Sequence, residues 1–308
     1  MKTIVTSYVS PDLDGVSSMV AYSEYLNKTG VPSTYHIEGV PKKEVGIVCD
    51  LFHIVLAGGK MNPEALVVVV DTNNLEEVPF VTPEQIVEFI DHHSKNKSSE
   101  ACTNAKIQIE RLGAAATLVA ERFKENHVPI SRESAILLYY GIISNSINLK
   151  ASITSQKDIE MTEWLKKQCS EISEEMIKTI FTLKSKIEDK DLREEMEAEI
   201  VLPCGDKRMT VAQLELAGME DFLQEKEEKI ISILQQLKEE KDLDYICINC
   251  VDILNGFNMI VTIDDETEQF LEKLLGCQFE NRRYKFDKIM QRKEITKAIR
   301  EFENKEEK

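Results

Sequence analysis

Two short apolar runs constrain this chain most: Ala65 to Val70 and Ile86 to Ile90, each passing straight into an acidic residue, Asp71 and Asp91. Such runs do not alternate apolar with polar, so strands built from them bury both faces, as in a parallel sheet covered on each side. Thr3 to Val9, Ser33 to Ile37 and Lys106 to Glu110 are further strand candidates. Between and after them the spacing turns helical: Val16 to Lys28, Pro41 to Leu56, Gly113-Ala114-Ala115-Ala116-Thr117 onward to about Asn126, Glu133 to Ile147 behind Ser131 as N-cap, Ser155 to Cys169 and Ser173 to Leu183. Strands alternating with helices predict an α/β domain, a parallel sheet flanked by helices.

At 308 residues the chain is long enough for two cores, which makes two domains the expectation. The stretch from Lys184 to Glu199 is highly charged and without strand character, so it reads as a connection. The boundaries that follow are 1–185, a linker over 186–199, and a smaller α+β domain over 200–308. Its strand candidates are Ile200 to Pro203, Lys207 to Leu216, Tyr245 to Val251 and Asn258 to Ile263; its amphipathic helices are Glu220 to Glu240 and Glu266 to Leu275, with a helical tail from Asp287 to Glu303.

No apolar run approaches the roughly 20 residues of a membrane helix, and the N-terminus enters a strand pattern at once, so the expectation is a cytoplasmic protein with no membrane partner. Seven cysteines, an odd number set mostly in apolar surroundings, suit reduced thiols. Cys247 and Cys250 have the spacing of a redox or zinc half-site but lie within a strand pattern with no second pair, which reads as strand packing. The formal net charge of -17 argues against nucleic acid as a partner, since that affinity comes from Lys and Arg on phosphates. Against this acidity stands a basic island: Arg282, Arg283, Lys285, Lys288, Arg292, Lys293, Lys297 and Arg300. It could receive an anionic substrate, or be a solvated helix face.

Three strand ends carry the same chemistry. Asp91-His92-His93, Asp71, and Ser10-Pro11-Asp12-Leu13-Asp14-Gly15 bring carboxylates and imidazoles, hard and borderline ligands for a divalent metal, to the end of a parallel sheet where ligands bind. One such triplet alone could be a polar loop; three are a pattern.

In this order, Pro11-Asp12-Leu13-Asp14, Asp71 and Asp91-His92-His93 resemble the successive motifs of the DHH phosphohydrolases. The length, the Gly113 to Thr117 turn, the helix Leu137 to Lys150 and the pair Arg292-Lys293 resemble the manganese-dependent (family II) inorganic pyrophosphatases and the related exopolyphosphatases, whose second domain is of the DHHA2 type. The likeness spans nearly the whole chain. It implies a DHH domain joined to a DHHA2 domain, an active site in the cleft between them, and dimerisation through the first domain.

The resemblance also assigns roles. Asp12, Asp14, Asp71 and His92 would hold one or two divalent ions, Mn2+ or else Mg2+ or Co2+, with Asp71 as the bridging ligand. Asp91 would orient an imidazole by accepting a ring N–H. His93 would contact substrate phosphate and donate a proton, a structural loop histidine being the alternative. Lys184, Arg292 and Lys293 would grip the phosphate that is not attacked. Two positions depart from the family pattern. Tyr8 stands where the pyrophosphatases have a metal-binding histidine and the exopolyphosphatases an asparagine; Asn145 stands for a metal-binding aspartate and offers only a neutral carbonyl oxygen. Reduced or altered metal loading is the expected result. The implied activity is hydrolysis of phosphoanhydride bonds in a small anionic substrate, inorganic pyrophosphate or short polyphosphate. The alternatives are an exopolyphosphatase or nucleotide-phosphate hydrolase, and a degenerate paralogue that binds without turnover.

Overall fold

A computed structural model describes residues 2–196, 200–287, 289–290 and 292–306; the side chains of Lys293 and of residues 303–306 also lie outside the description. The chain divides into two compact units, Met1–Ile180 and Phe181–Lys308.

The first unit runs β1 (Thr3–Thr6), α1 (Leu13–Lys28), β2 (Ser33–His36), α2 (Lys43–Phe52), β3 (Leu66–Val70), β4 (Ile86–Asp91), β5 (Lys106–Ile109), α3 (Ala115–Glu125), α4 (Arg132–Asn145), α5 (Gln156–Gln168) and α6 (Glu174–Lys184), the division falling inside α6. Its five strands are all parallel in the order β2-β1-β3-β4-β5. The order reverses between β1 and β3, so a crevice opens beyond their C-terminal ends, where α/β sheets place their ligands. Val67 to Val70 are buried at every position, as the unbroken valine run requires.

The two faces of this sheet are covered differently. Helices α1, α3, α4 and α5 pack together over one. Over the other, Val67, Val69, Ile86 and Phe89 meet Val78, Val81 and Cys102, which belong to irregular segments and not to helices. Gly141 lets α4 lie close on α1, since a Cβ there would stand 2.5 Å from Ser17 Oγ. That approach brings the C-terminal end of α4 to the strand ends.

The end of α4 differs from the expected helix through Ile147 or Lys150. Right-handed helix stops at Asn145, and Ile147, Asn148 and Leu149 take positive φ of 50°, 53° and 60°. Ser146 takes part in the stop: its oxygen accepts from Leu149 N–H (3.1 Å), a donor that a further turn would have given to Asn145 O, while its hydroxyl donates to Ile142 O (2.5 Å). Ser131 is the N-cap of α4, its side chain accepting from Ser134 N–H (3.2 Å).

The second unit continues with α7 (Leu192–Glu195), β6 (Val201–Cys204), β7 (Lys207–Leu216), α8 (Met219–Glu240), β8 (Tyr245–Asp252), β9 (Phe257–Thr262), α9 (Asp265–Leu275), β10 (Arg283–Phe286) and α10 (Arg292–Glu306). The sheet order is β10-β9-β8-β7-β6, with β7 and β8 parallel and the other pairs antiparallel. One face packs on α8 with Leu192 and Met196, so part of the charged stretch read as a linker is built into this core; the other packs Leu271 of α9 and Ile295 and Ile299 of α10. Residues 197–199 of that linker, Lys288 of the basic island, and the last residues of the tail lie outside the described residues.

Cys247 and Cys250 are consistent with strand packing: both are buried free thiols in β8, and an odd spacing in a strand turns them to opposite faces, Cys250 toward the α8 side and Cys247 toward the α10 side. Burial raises both thiols, Cys250 to about 12. Much of the basic island is neutralised by acidic neighbours: Arg282 pairs with Asp265 (2.5 Å) and Glu268, Arg283 with Glu227, and Lys285 with Glu220 (2.9 Å). Among the described residues no helix is long and apolar enough to cross a membrane.

Candidate metal centre

The site is assembled from the C-terminal ends of β1, β3 and β4 and the helix termini that meet them. Asp71 follows β3 directly with φ 61°, a left-handed backbone uncommon outside glycine, asparagine and aspartate, and so its side chain leaves the strand line and turns into the crevice. Asp91 and His92 close β4. Asp12 is the N-cap of α1, accepting from Gly15 N–H (3.0 Å), and Asp14 sits in the first turn of that helix. Gly15 is required by crowding here: a Cβ would stand 2.8 Å from Ser7 Oγ and 3.3 Å from Asp71 Oδ2.

His92 fixes the chemistry. Its Nδ1 lies 3.0 Å from Leu112 O, and a carbonyl can only accept, so Nδ1 carries a proton and Nε2 is the ring atom turned into the pocket. That nitrogen lies 3.4 Å from Asp71 Oδ1 and 3.7 Å from Asp14 Oδ2. A ring lone pair and carboxylate oxygens this close repel one another unless a proton or a cation stands among them. Asp71 Oδ1 is buried and has no hydrogen-bond partner, as does Ser7 Oγ nearby. Asp71, Asp91, His92 and His93 each offer a ligand atom, all within 4.8 Å of one another. The donor set, carboxylate oxygens with imidazole nitrogen, therefore fits a divalent cation of the manganese or magnesium kind.

The electrostatics agree. Burial and then the charge of Asp12 push Asp14 up to about 8, although Ala115 and Ala116 at the N-terminus of α3 donate their backbone N–H to it (2.8 and 2.7 Å). Burial and then Asp14, Asp12 and Asp91 hold Asp71 well above the carboxylate range. Two buried acids this close are held as anions only where positive charge is brought between them. Tyr8 is raised as well, by burial first and then by Asp12 and Asp71, so it stays a neutral phenol; its oxygen accepts from Asp12 N–H (3.1 Å).

Asp91 orients an imidazole, and the ring is that of His93, not His92. Its Oδ1 accepts from His93 Nδ1 (2.9 Å) and from the backbone N–H of His92 (2.7 Å) and His93 (3.2 Å). Burial alone would raise Asp91, but the His93 contact and the Asn73 amide outweigh it and its carboxyl is lowered; His93, which burial would lower, is raised by Asp91 and by the charges of Asp14 and Asp12.

Asn145 reaches the same pocket from the end of α4. Its Nδ2 donates to Gly113 O (2.9 Å) and Asp14 Oδ2 (3.2 Å) and lies 3.2 Å from His92 Nε2. Two acceptors, Gly113 O and Asp14 Oδ2, orient the amide so that its nitrogen faces the pocket. Of the expected substrate cations, Lys184 and Arg292 lie in the second unit, joined by a polar chain: Lys184 Nζ to Glu215 (3.5 Å), Glu215 to Gln213 Nε2 (3.3 Å), and Gln213 Oε1 to Arg292 N–H (2.7 Å). The Lys293 side chain lies outside the described residues.

Three contributors are invisible in residue types alone. Asn73 ties the loops after β3 and β4 together, donating to Asp91 Oδ2 and Ser94 O (3.1 Å) and accepting from Asn96 N–H. Glu44 accepts from Leu13 N–H (3.0 Å) and Ser144 Oγ (2.5 Å), clamping the start of α1 to the end of α4. Asp158 accepts from Gly113 N–H (2.8 Å) and holds the turn whose carbonyls face His92 and Asn145. The only sequence cue was the small-residue run at Gly113 to Thr117, which permits this close approach.

This arrangement, carboxylates and an imidazole converging at the switch point of a parallel sheet, defines a metal-binding α/β domain. The DHH family, N-terminal domain, matches residues 2–142, and the chain carries a domain of that family. Along nearly its whole length it is similar to manganese-dependent inorganic pyrophosphatases: 26% identical over 298 residues to that of Methanothrix thermoacetophila, covering 94% of both chains, and 24% over 288 residues to that of Bacillus subtilis, covering 91% of both. A crystal structure from Methanococcus jannaschii, assigned to the family II inorganic pyrophosphatases, superposes with a TM-score of 0.68 at 18% identity, covering 98% of this chain and 99% of that one, and shows the fold.

Proposed function

We propose that this protein hydrolyses phosphoanhydride bonds in inorganic pyrophosphate or a short polyphosphate with the help of a divalent metal. One observation carries the reading: His92 Nε2 lies 3.4 Å from the buried, unpartnered Asp71 Oδ1 and 3.7 Å from Asp14 Oδ2, a pocket whose acidic groups call for positive charge. Asp12, Asp14, Asp71 and His92 would hold the metal. When bound, it supplies Lewis acidity toward a phosphoryl oxygen and the attacking water. The chain's own groups do the rest. Asp91 holds the His93 ring through Nδ1 and keeps it protonated to higher pH, so that Nε2–H can donate to a phosphate oxygen. Lys184, Arg292 and Lys293 supply the cations that receive the phosphate charge developing at the leaving group.

A second reading, substrate binding without turnover, is favoured by Tyr8 and Asn145, two neutral groups where the resemblance leads one to expect ligands. Metal-stripped protein resupplied with Mn2+, Mg2+ or Co2+ and assayed for phosphate release from pyrophosphate, tripolyphosphate and long polyphosphate separates them. Release from pyrophosphate or tripolyphosphate is expected. Release from long polyphosphate alone makes the protein an exopolyphosphatase, and none with any pairing leaves the binding reading.

A further inference from the structure

The second unit buries polar groups where a core would be expected. Gln213, Asn249 and Asn258 lie on the face of the sheet that carries Val211, Cys247 and Ile260, the face covered by α10; Asn249 and Asn258 have no exposed surface. Gln213 and Asn249 are direct partners in the parallel ladder between β7 and β8, and Asn258 stands diagonally across from Asn249 on β9. An amide buried in apolar surroundings costs a few kcal/mol unless its groups are satisfied, so three together need a reason.

They are satisfied in one arrangement. Asn258 Oδ1 accepts from Met290 N–H (2.8 Å), Asn249 Nδ2 donates to Met290 O (2.9 Å), and Gln213 Oε1 accepts from Arg292 N–H (2.7 Å). Between themselves, Asn258 Nδ2 donates to Asn249 Oδ1 (2.5 Å) and Asn249 Nδ2 to Gln213 Oε1 (3.1 Å). Each backbone group has a fixed polarity, and these three dictate which way every amide faces. The orientations they dictate are also those that let the amides bond to one another. The network therefore grips the backbone at Met290 and Arg292, where the chain leaves β10 and enters α10. Gln213 Nε2 continues to Glu215 Oε1 (3.3 Å), and Glu215 takes Lys184 (3.5 Å).

We propose that Gln213, Asn249 and Asn258 are positioning residues that fix Arg292, with Lys184 held at the end of the same chain, for binding substrate phosphate. This rests on the assignment of those cations under the proposed function. A carboxylate cannot replace the middle amide, because Asn249 uses both N–H groups as donors, and a leucine of similar size at Asn258 fills the space while leaving Met290 N–H without its acceptor.

The test pairs a structural with a kinetic measurement on the full chain. Hydrogen exchange is followed in peptides covering 287–300 for wild type, Asn258→Leu and Gln213→Leu, the latter removing the acceptor of Arg292 N–H and the bonds to Asn249 and Glu215 while leaving the Asn258 bond to Met290, should Asn258→Leu not fold. Faster exchange there, with β1 to β5 unchanged, is expected; unchanged exchange overturns the proposal whether or not the protein turns over. In parallel, kcat/KM for pyrophosphate is measured in a double-mutant cycle with Arg292→Ala. Asn258→Leu alone is expected to lose roughly 10- to 100-fold, as misplacement of a binding group does, and nothing further in the Arg292→Ala background. Additive losses mean a merely structural role and overturn the proposal. Turnover unaffected by Arg292→Ala alone overturns the assignment of that cation, a failure the exchange result distinguishes from failure of the network.

Discussion

Replacing Asp71 by asparagine should stabilise the metal-free protein and destabilise the metal-loaded one. Asp71 Oδ1 and Asp14 Oδ2 both lie within 3.7 Å of one ring nitrogen and so within about 7 Å of each other. At an effective dielectric constant near 20, two charges that close repel by at least roughly 2 kcal/mol. Both acids titrate above their ordinary value of 3.8 in the folded protein, Asp14 at about 8, so the folded state binds more protons than the unfolded one and stability falls as pH rises from about 4 through 8. At pH 5 the substitution should be nearly neutral. At pH 8, without metal, it should raise the melting temperature of the first unit by roughly 5 °C, and asparagine tolerates the left-handed backbone at this position. With Mn2+ at about 100 times its dissociation constant, wild type gains about 2.7 kcal/mol and the variant gains little, so the order inverts. Differential scanning fluorimetry at both pH values, with chelator and with Mn2+, reads all four conditions. If the asparagine variant is less stable than wild type in chelator at pH 8, the like-charge account of this pocket is wrong.

Three further outcomes follow from the same geometry. Asn145→Asp removes the donor to Gly113 O and adds a carboxylate, so Mn2+ affinity should rise by about tenfold or more while metal-free stability at pH 8 drops by on the order of 2 kcal/mol; unchanged affinity in a Mn2+ titration would contradict the role given to its amide. Asp91→Asn should lower the His93 titration followed by NMR and move the alkaline limb of the pH profile to lower pH, because Asp91 is what raises that ring; an unmoved His93 signal refutes the pairing. Cys247→Ala and Cys250→Ala should each cost roughly 1–2 kcal/mol in urea unfolding, as small buried side chains do, and leave metal uptake unchanged, whereas loss of uptake would revive the half-site reading.

What could be read from the residues was what depends on local pattern. The valine run before Asp71, the small-residue turn at Gly113 and the cap at Ser131 each state their structure within a few positions, and the ordered aspartates and histidines carried the family. Strand β10 escaped because Arg283-Tyr284-Lys285-Phe286 was read for charge, although its polar and aromatic residues alternate with the period of a strand. The early stop of α4 escaped because nothing in Ser146 or Ile147 announces a left-handed turn. The polarity of the Asn145 amide, the clamp of Glu44 and the bridge made by Asn73 are settled by partners 18 to 131 positions away in the chain and by which atom of a side chain meets which, and residue type does not encode that.

The central claim is that Asp14, Asp71 and His92 form one cation site. Chelator-stripped protein titrated with Mn2+, the free ion being followed by electron paramagnetic resonance, tests it directly. Saturable uptake of one or two ions by wild type, abolished or greatly weakened by Asp71→Asn and His92→Gln, is the predicted result. Uptake absent from wild type, or undiminished in both variants, would contradict it.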